Sequence, residues 1–67
     1  MPTMRLIRLK EVMRLTGLGR STVYKVMKEG SFPGSVALGG KAVAWVESEV
    51  QEWILARLRE RDGQPSL

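Results

Sequence analysis

The sequence predicts a small α+β domain in which three helices accompany one β-hairpin. Three observations predict this class. Apolar residues recur at helical spacing in three separate stretches, glycines follow the first two of these stretches, and two alternating segments flank a Gly-Gly pair. A chain of 67 residues is long enough for a single domain. We expect this domain to occupy residues 1–61 and residues 62–67 to form a flexible tail.

The first two helices are predicted to lie close together. Apolar spacing favours a helix from Leu9 to Thr16, which Gly17 ends because glycine adopts the left-handed backbone conformation without steric penalty. A second helix is predicted from Arg20 to about Glu29. Only three residues join the two, so the helices must cross steeply, as in a helix-turn-helix. The alternative is a helical hairpin with an ordinary charged solvent face.

The remaining elements are a short first segment, a hairpin and a third helix. Residues 5–7 are compatible with either a strand or an extended lead-in. Residues 36–45 are predicted to form the hairpin, because apolar residues alternate on both arms. The third helix is predicted from Glu47 to about Arg61. Its apolar stripe is expected to contain Val46, Val50, Trp53, Ile54 and Leu58. We assign both tryptophans to the core, since each aromatic side chain buries a large area.

Positive charge is concentrated in the first two thirds of the chain. The formal net charge is +4. Residues 1–45 carry eight basic and two acidic side chains, whereas residues 46–67 carry three basic and five acidic ones. Such asymmetry is typical of a surface that binds a polyanion. On charge alone, a solvated charged face explains the same balance.

Composition argues against several classes of function. The chain contains neither Cys nor His, which removes disulfides, thiolate and imidazole metal sites and the commonest general base. No nucleophile–base pair or carboxylate dyad is evident. We therefore expect no enzymatic activity, catalytic residue, metal, cofactor or small-molecule substrate. The longest apolar run, Ala42 to Val46, is far below the roughly 20 residues of a membrane span. With no signal segment near the start, we expect a cytoplasmic location.

The second helix is predicted to present a basic face to double-stranded DNA. If Val23, Val26 and Met27 face inward, the outward face carries Arg20, Ser21, Thr22, Tyr24, Lys25 and Lys28. Cations suit phosphates or guanine, and hydroxyls suit phosphates or base edges. A single helix fits the major groove, which is about 12 Å wide. The alternatives are that both hydroxyls only bind N–H groups at the helix start, and that Tyr24 belongs to the edge of the core.

The hairpin is predicted to act as a wing beside this helix. Gly40 permits close approach to a phosphate and Lys41 adds positive charge at the tip. The alternative is a surface turn with an incidental lysine. A single module of this size buries roughly 600–1,000 Å² of its own surface against DNA, which is little for tight and selective binding. We therefore expect a homodimer or a cooperative multimer on DNA, with Leu55 and the third helix as the contact surface between copies.

Four segments, in order and without gaps, resemble the AlpA family of prophage regulators: residues 9–28, 30–33, 38–45 and 49–53. The likeness extends over about residues 5–58. Members are MerR-like winged helix-turn-helix proteins, related to phage excisionases. The resemblance implies a bacterial, nucleoid-associated transcriptional regulator of prophage or genomic-island genes. By position it implies that Arg20, Ser21, Thr22, Tyr24 and Lys25 lie on the recognition helix and Lys41 on the wing. We accordingly expect the helix of about residues 20–29 to enter the major groove and the hairpin of residues 36–45 to be the wing. Relatives often have Ser at position 19 and Arg at position 41, so Gly19 and Lys41 depart from the pattern.

Other functions remain open at this level. An excisionase, or recombination directionality factor, would use the same DNA-binding chemistry. A protein-interaction adaptor would instead dock its basic face on an acidic partner, although no large apolar stripe is left once a core is assigned. An RNA-binding protein would need a better stacking platform than one tyrosine. The sequence determines neither the operator nor the choice between activation, repression and excision.

Overall fold

The computed structural model describes residues 4–63 and confirms the small α+β fold. The elements are β1 (Leu6–Ile7), α1 (Leu9–Thr16), α2 (Arg20–Lys28), β2 (Val36–Gly39), β3 (Ala42–Val46) and α3 (Glu47–Gly63). The three strands form an antiparallel sheet with β3 in the centre, in the order β1-β3-β2. Two consecutive helices followed by a hairpin and a third helix are the arrangement of a winged helix-turn-helix.

The turn between α1 and α2 is fixed by hydrogen bonds at the end of α1. Gly17 has a φ of 76°, and its N–H donates to the carbonyl of Met13 at 2.8 Å. The Thr16 hydroxyl donates to the Val12 carbonyl at 2.8 Å and accepts from the Leu18 N–H at 3.2 Å. The chain therefore leaves α1 in one defined direction, and this direction positions α2.

A glycine-to-alanine pair tests the role of this turn. Gly17→Ala is expected to destabilise the fold by about 1–2 kcal/mol, because an alanine is strained in the left-handed backbone conformation. The new Cβ meets no atom within 4 Å, so no steric clash adds to this cost. Gly34→Ala also meets no atom within 4 Å, but Gly34 lacks a positive φ. This control should change stability by less than about 0.5 kcal/mol. Thermal unfolding followed by circular dichroism measures both; equal melting temperatures would contradict the role assigned to Gly17.

The core lies between the sheet and the helices. Every element except β2 contributes to it: β3 supplies two buried side chains, the other elements supply one each, and the loop after α2 supplies one. They are Ile7, Val12, Val23, Phe32, Ala44, Trp45 and Val50. Trp45 is 0% exposed and is the largest of the fully buried side chains. All four residues of β2 are exposed. The hairpin therefore projects from the core with only its inner strand packed against the helices.

Trp53 is only partly buried and anchors α3 to the loop that follows α2. Its ring packs edge-on against Phe32, with the centroids 5.0 Å apart, and its Nε1 donates to the carbonyl of Ser31. The guanidinium of Arg57 lies 5.2 Å from the centroid of the same ring. The assignment of both tryptophans to the core thus holds fully for Trp45, whereas Trp53 packs at the edge of the core.

The sheet corrects one assignment made from the sequence. Val46 is not part of the third helix, because it is the last residue of β3 and pairs with Leu6 of β1. Ile7 pairs with Trp45 in the same ladder. Residues 6–7 therefore form a true strand rather than an extended lead-in.

Helix α3 ends later than predicted. It reaches Gly63, so Asp62 and Gly63 are helical although the tail was predicted to begin at residue 62. A salt bridge of 3.0 Å joins Arg61 to Asp62 in this last turn. The rest of the predicted tail, residues 64–67, lies outside the described residues. Across residues 4–63, no helix combines the length and the apolar character that spanning a membrane requires.

Candidate nucleic-acid interface

Helix α2 displays the predicted binding residues on one face. Val23 is fully buried, and Val26 and Met27 pack against the core. These three contacts fix the rotation of the helix about its axis. The predicted residues on the opposite face are all exposed: Arg20, Ser21, Thr22, Tyr24, Lys25 and Lys28. The structure therefore brings these side chains together on a single solvent-facing surface, which we call the α2 face.

The cations of the α2 face are not neutralised by acids. Within residues 4–63, neither Arg20 nor Lys25 nor Lys28 forms a salt bridge, and the first turn of α2 contains no acidic residue. Four other cations each have an acidic partner within 4 Å: Arg5, Arg14, Arg57 and Arg61. The positive potential of the α2 face is thus available to an anion from outside the molecule.

The two hydroxyls near the start of α2 do not cap the helix. Gly19 occupies the N-cap position with extended backbone, and no side chain forms a capping hydrogen bond there. In the part of the chain that the structure describes, neither Ser21 nor Thr22 donates or accepts a side-chain hydrogen bond. A role limited to the helix start therefore does not account for them, and both hydroxyls face solvent.

Tyr24 lies at the border between the α2 face and the core. Its side chain is 41% exposed, and its ring meets Trp45 edge-on, with the centroids 6.3 Å apart and an interplanar angle of 62°. One edge of the ring therefore packs against the core while the rest remains accessible. The contact also joins α2 to β3, the inner strand of the hairpin.

The turn of the hairpin holds the last two predicted residues, Gly40 and Lys41, both of which are exposed. Gly39 and Gly40 have φ values of 119° and 54°, so the tight reversal depends on this glycine pair. Ala42 and Trp45 are three steps apart along β3, about 10 Å at 3.3 Å per residue. The tip of the hairpin therefore extends about 10 Å along β3 beyond the point where Tyr24 touches the sheet.

A second basic group was not identified from the sequence. A shallow groove between β1 and α1 is lined by Arg5, Leu6, Ile7, Arg8, Lys10, Glu11 and Arg14. Lys10 and Arg14 are four residues apart and therefore share one side of α1. This spacing is the signal from which the group could have been predicted. We call this feature the β1–α1 groove.

Comparison with known proteins gives one family and two relatives. The model of the family described as prophage CP4-57 regulatory protein (AlpA) matches residues 5–58. The chain is 51% identical over 57 residues to an uncharacterized protein, ORF88, of Enterobacteria phage P4, a match that covers 85% of this chain and 65% of that protein. It is 34% identical over 61 residues to the DNA-binding transcriptional activator AlpA of Escherichia coli (strain K12), covering 82% of this chain and 87% of that protein. The chain thus spans slightly less than two thirds of the length of the phage relative.

Proposed function

The chain belongs to the AlpA family of prophage regulatory proteins, and from this premise we propose that it is a transcriptional regulator that binds a specific site in double-stranded DNA. Helix α2 enters the major groove as the recognition helix, and the β2–β3 hairpin contacts the DNA as a wing. The observation that supports this most strongly is the α2 face, where cations that form no salt bridge within residues 4–63 accompany two hydroxyls that form no side-chain hydrogen bond there. The name of the relative from Escherichia coli, a DNA-binding transcriptional activator, is consistent with it.

The side chains divide into two roles. Four cations bind phosphate oxygens: Arg20, Lys25, Lys28 and Lys41. Three uncharged side chains read base edges: Ser21, Thr22 and Tyr24. Arg20 takes part in both roles, because its guanidinium at the start of the helix also reads a base edge. Gly40 lets the backbone of the wing approach the duplex closely. With three or four phosphate contacts, a plot of log K for DNA binding against log[salt] has a slope of roughly −3 to −4. We call this slope the salt slope.

We infer that copies of the chain act together on DNA, as a homodimer or a cooperative multimer. The area that one small module contacts, roughly 600–1,000 Å², is little for tight and selective binding. Leu55 and Leu58 of α3 are 43% and 40% exposed, and every residue from Arg57 to Gly63 is exposed. This end of α3 is the surface on which we expect the copies to meet.

Two single substitutions on the α2 face separate backbone binding from base reading. Lys25→Ala should weaken binding to every duplex alike and reduce the salt slope by about 0.9, because one phosphate contact is lost. Thr22→Ala should leave binding to random duplexes unchanged and weaken binding to the preferred duplex by on the order of tenfold, since a base contact carries discrimination. The preferred duplex is selected from a random pool with the wild-type chain. Fluorescence anisotropy between 50 and 200 mM salt measures both effects.

The two variants serve as controls for each other, because both positions are exposed on the same helix. If neither substitution changes the affinity for any duplex, α2 is not the recognition helix. A chain that binds an acidic protein with defined stoichiometry, and binds duplex DNA only weakly, would instead favour the adaptor function.

A further inference from the structure

The β1–α1 groove carries a concentration of positive charge that the proposed roles of α2 and the wing leave unused. Four of its lining side chains are cations and one is an acid: Arg5, Arg8, Lys10, Arg14 and Glu11. Arg8 and Lys10 are exposed and form no salt bridge within residues 4–63. A concave surface lined with like charges focuses its potential toward an anion in solution.

The other two cations of the groove have partners that a phosphate can displace. Arg5 lies 3.2 Å from Glu47 and Arg14 lies 3.6 Å from Glu11, and the two arginine side chains are 64% and 76% exposed. Such surface pairs contribute about 0–1 kcal/mol to stability. A guanidinium can therefore exchange its carboxylate for a phosphate oxygen, to which it forms equally charge-assisted hydrogen bonds.

The register of the sheet brings this groove close to the tip of the wing. Arg8 has extended backbone, with φ −90° and ψ 170°, and directly follows Ile7, which pairs with Trp45. It therefore continues β1 to the level of Ala44. Lys41 lies three residues farther along the neighbouring chain segment. At 3.3 Å per residue and 4.8 Å between strands, the level of Arg8 is about 8 Å from Ala42, the first residue of β3, and Lys41 directly precedes Ala42 in the turn.

A few phosphates of one nucleic-acid strand span the distance between Arg8 and the tip of the wing, because each strand of B-form DNA carries one phosphate per 3.4 Å of helix axis. A strand whose phosphate contacts Lys41 can therefore continue past Arg8 and into the groove without leaving the surface of the protein.

We propose that the β1–α1 groove is a second phosphate-binding surface, which holds the backbone of the duplex beyond the segment contacted by the wing. Its ligand is the phosphodiester backbone of B-form DNA, bound without regard to sequence. This inference rests on the proposed function and extends it. The groove lengthens the DNA footprint and adds about two phosphate contacts, through Arg8 and Lys10, so the salt slope of the wild-type chain is nearer −5 than −3.

A double substitution with a matched control tests the groove. The probe is a 30-base-pair duplex of mixed sequence, titrated between 50 and 200 mM salt. Arg8→Ala/Lys10→Ala should reduce the magnitude of the salt slope by about 1.8 and weaken binding about 30-fold at 0.15 M salt, because two counterions fewer are released. Ser48→Glu/Gln51→Glu lowers the net charge by the same two units at exposed positions in the first half of α3, away from the end where copies are expected to meet, and should leave the slope unchanged. Arg8→Lys/Lys10→Arg keeps both charges and should bind like the wild type.

The outcomes separate the groove from the proposed function. Equal changes of the salt slope in the β1–α1 and α3 double variants would contradict the phosphate-binding role of the groove, because net charge alone would then explain the weaker binding. If Lys25→Ala weakens binding as expected but Arg8→Ala/Lys10→Ala changes neither the affinity nor the salt slope, the β1–α1 groove does not bind phosphates. The assignment of α2 as the recognition helix would then still stand. A wild-type chain without measurable affinity for the duplex would overturn both. Thermal unfolding checks that each variant is folded before it is titrated.

Discussion

Replacing Trp45 by alanine is expected to leave little folded chain at 25 °C. Trp45 is completely buried and contacts the ring of Tyr24 on α2. It also pairs through its backbone with Ile7. Truncation of a buried tryptophan to alanine costs about 3–5 kcal/mol. A core in a domain below about 70–80 residues rarely supplies more than about 3–5 kcal/mol in total, so the loss equals most of the available stability.

The matched substitution at this position is Trp45→Phe. Within the described residues, the buried Nε1 of Trp45 has no hydrogen-bond acceptor, and an unsatisfied buried donor costs about 1–3 kcal/mol. Phenylalanine removes this donor but leaves a smaller ring, so the two effects oppose each other. The net change is expected to stay below about 1.5 kcal/mol. Urea unfolding followed by far-UV circular dichroism compares both variants. An alanine variant as stable as the wild type would show that Trp45 does not hold the core together.

Local signals in the sequence predicted the elements that carry the proposed site. The helix expected from Leu9 to Thr16 has those bounds in the structure, because its apolar spacing and the glycine that ends it lie within one short segment. The same holds for the start of α2 at Arg20 and for the glycine-dependent turn of the hairpin. The outward face of α2 was predictable as well, since burial of Val23 follows from helical periodicity alone.

Features that depend on distant residues could not be predicted in this way. Leu6 becomes a strand residue only because it pairs with Val46 at the far end of the hairpin. The salt bridge between Arg5 and Glu47 joins residues 42 positions apart. The same long-range pairing creates the β1–α1 groove, because it aligns the segment before α1 with the central strand. The dual position of Tyr24, half against Trp45 and half in solvent, likewise requires the packed sheet.

Charge reversal at both ends of α2 is expected to abolish DNA binding while the fold remains intact. Arg20→Glu/Lys28→Glu replaces two exposed cations, which form no salt bridge within residues 4–63, with carboxylates that repel phosphates. Loss of two phosphate contacts alone weakens binding about 30-fold at 0.15 M salt, and the repulsion raises the expected loss to about 100-fold or more. Stability should change little, because a glutamate favours the helix dipole at the first position and opposes it at the last.

The control for this variant must lower the net charge equally at another surface. Arg59→Glu/Arg61→Glu does so on α3, where both arginines are exposed, and the formal net charge falls from +4 by four units in each case. The duplex is short enough to hold a single copy, so the contact between copies proposed for this end of α3 does not enter the comparison. If binding depended only on the overall charge of the protein, the two variants would lose affinity equally. Retention of most duplex affinity by the α3 variant, together with loss by the α2 variant, would therefore assign the interaction to one face of one helix. Equal losses in anisotropy titrations at 0.15 M salt would contradict that assignment, provided that circular dichroism shows both variants to be folded.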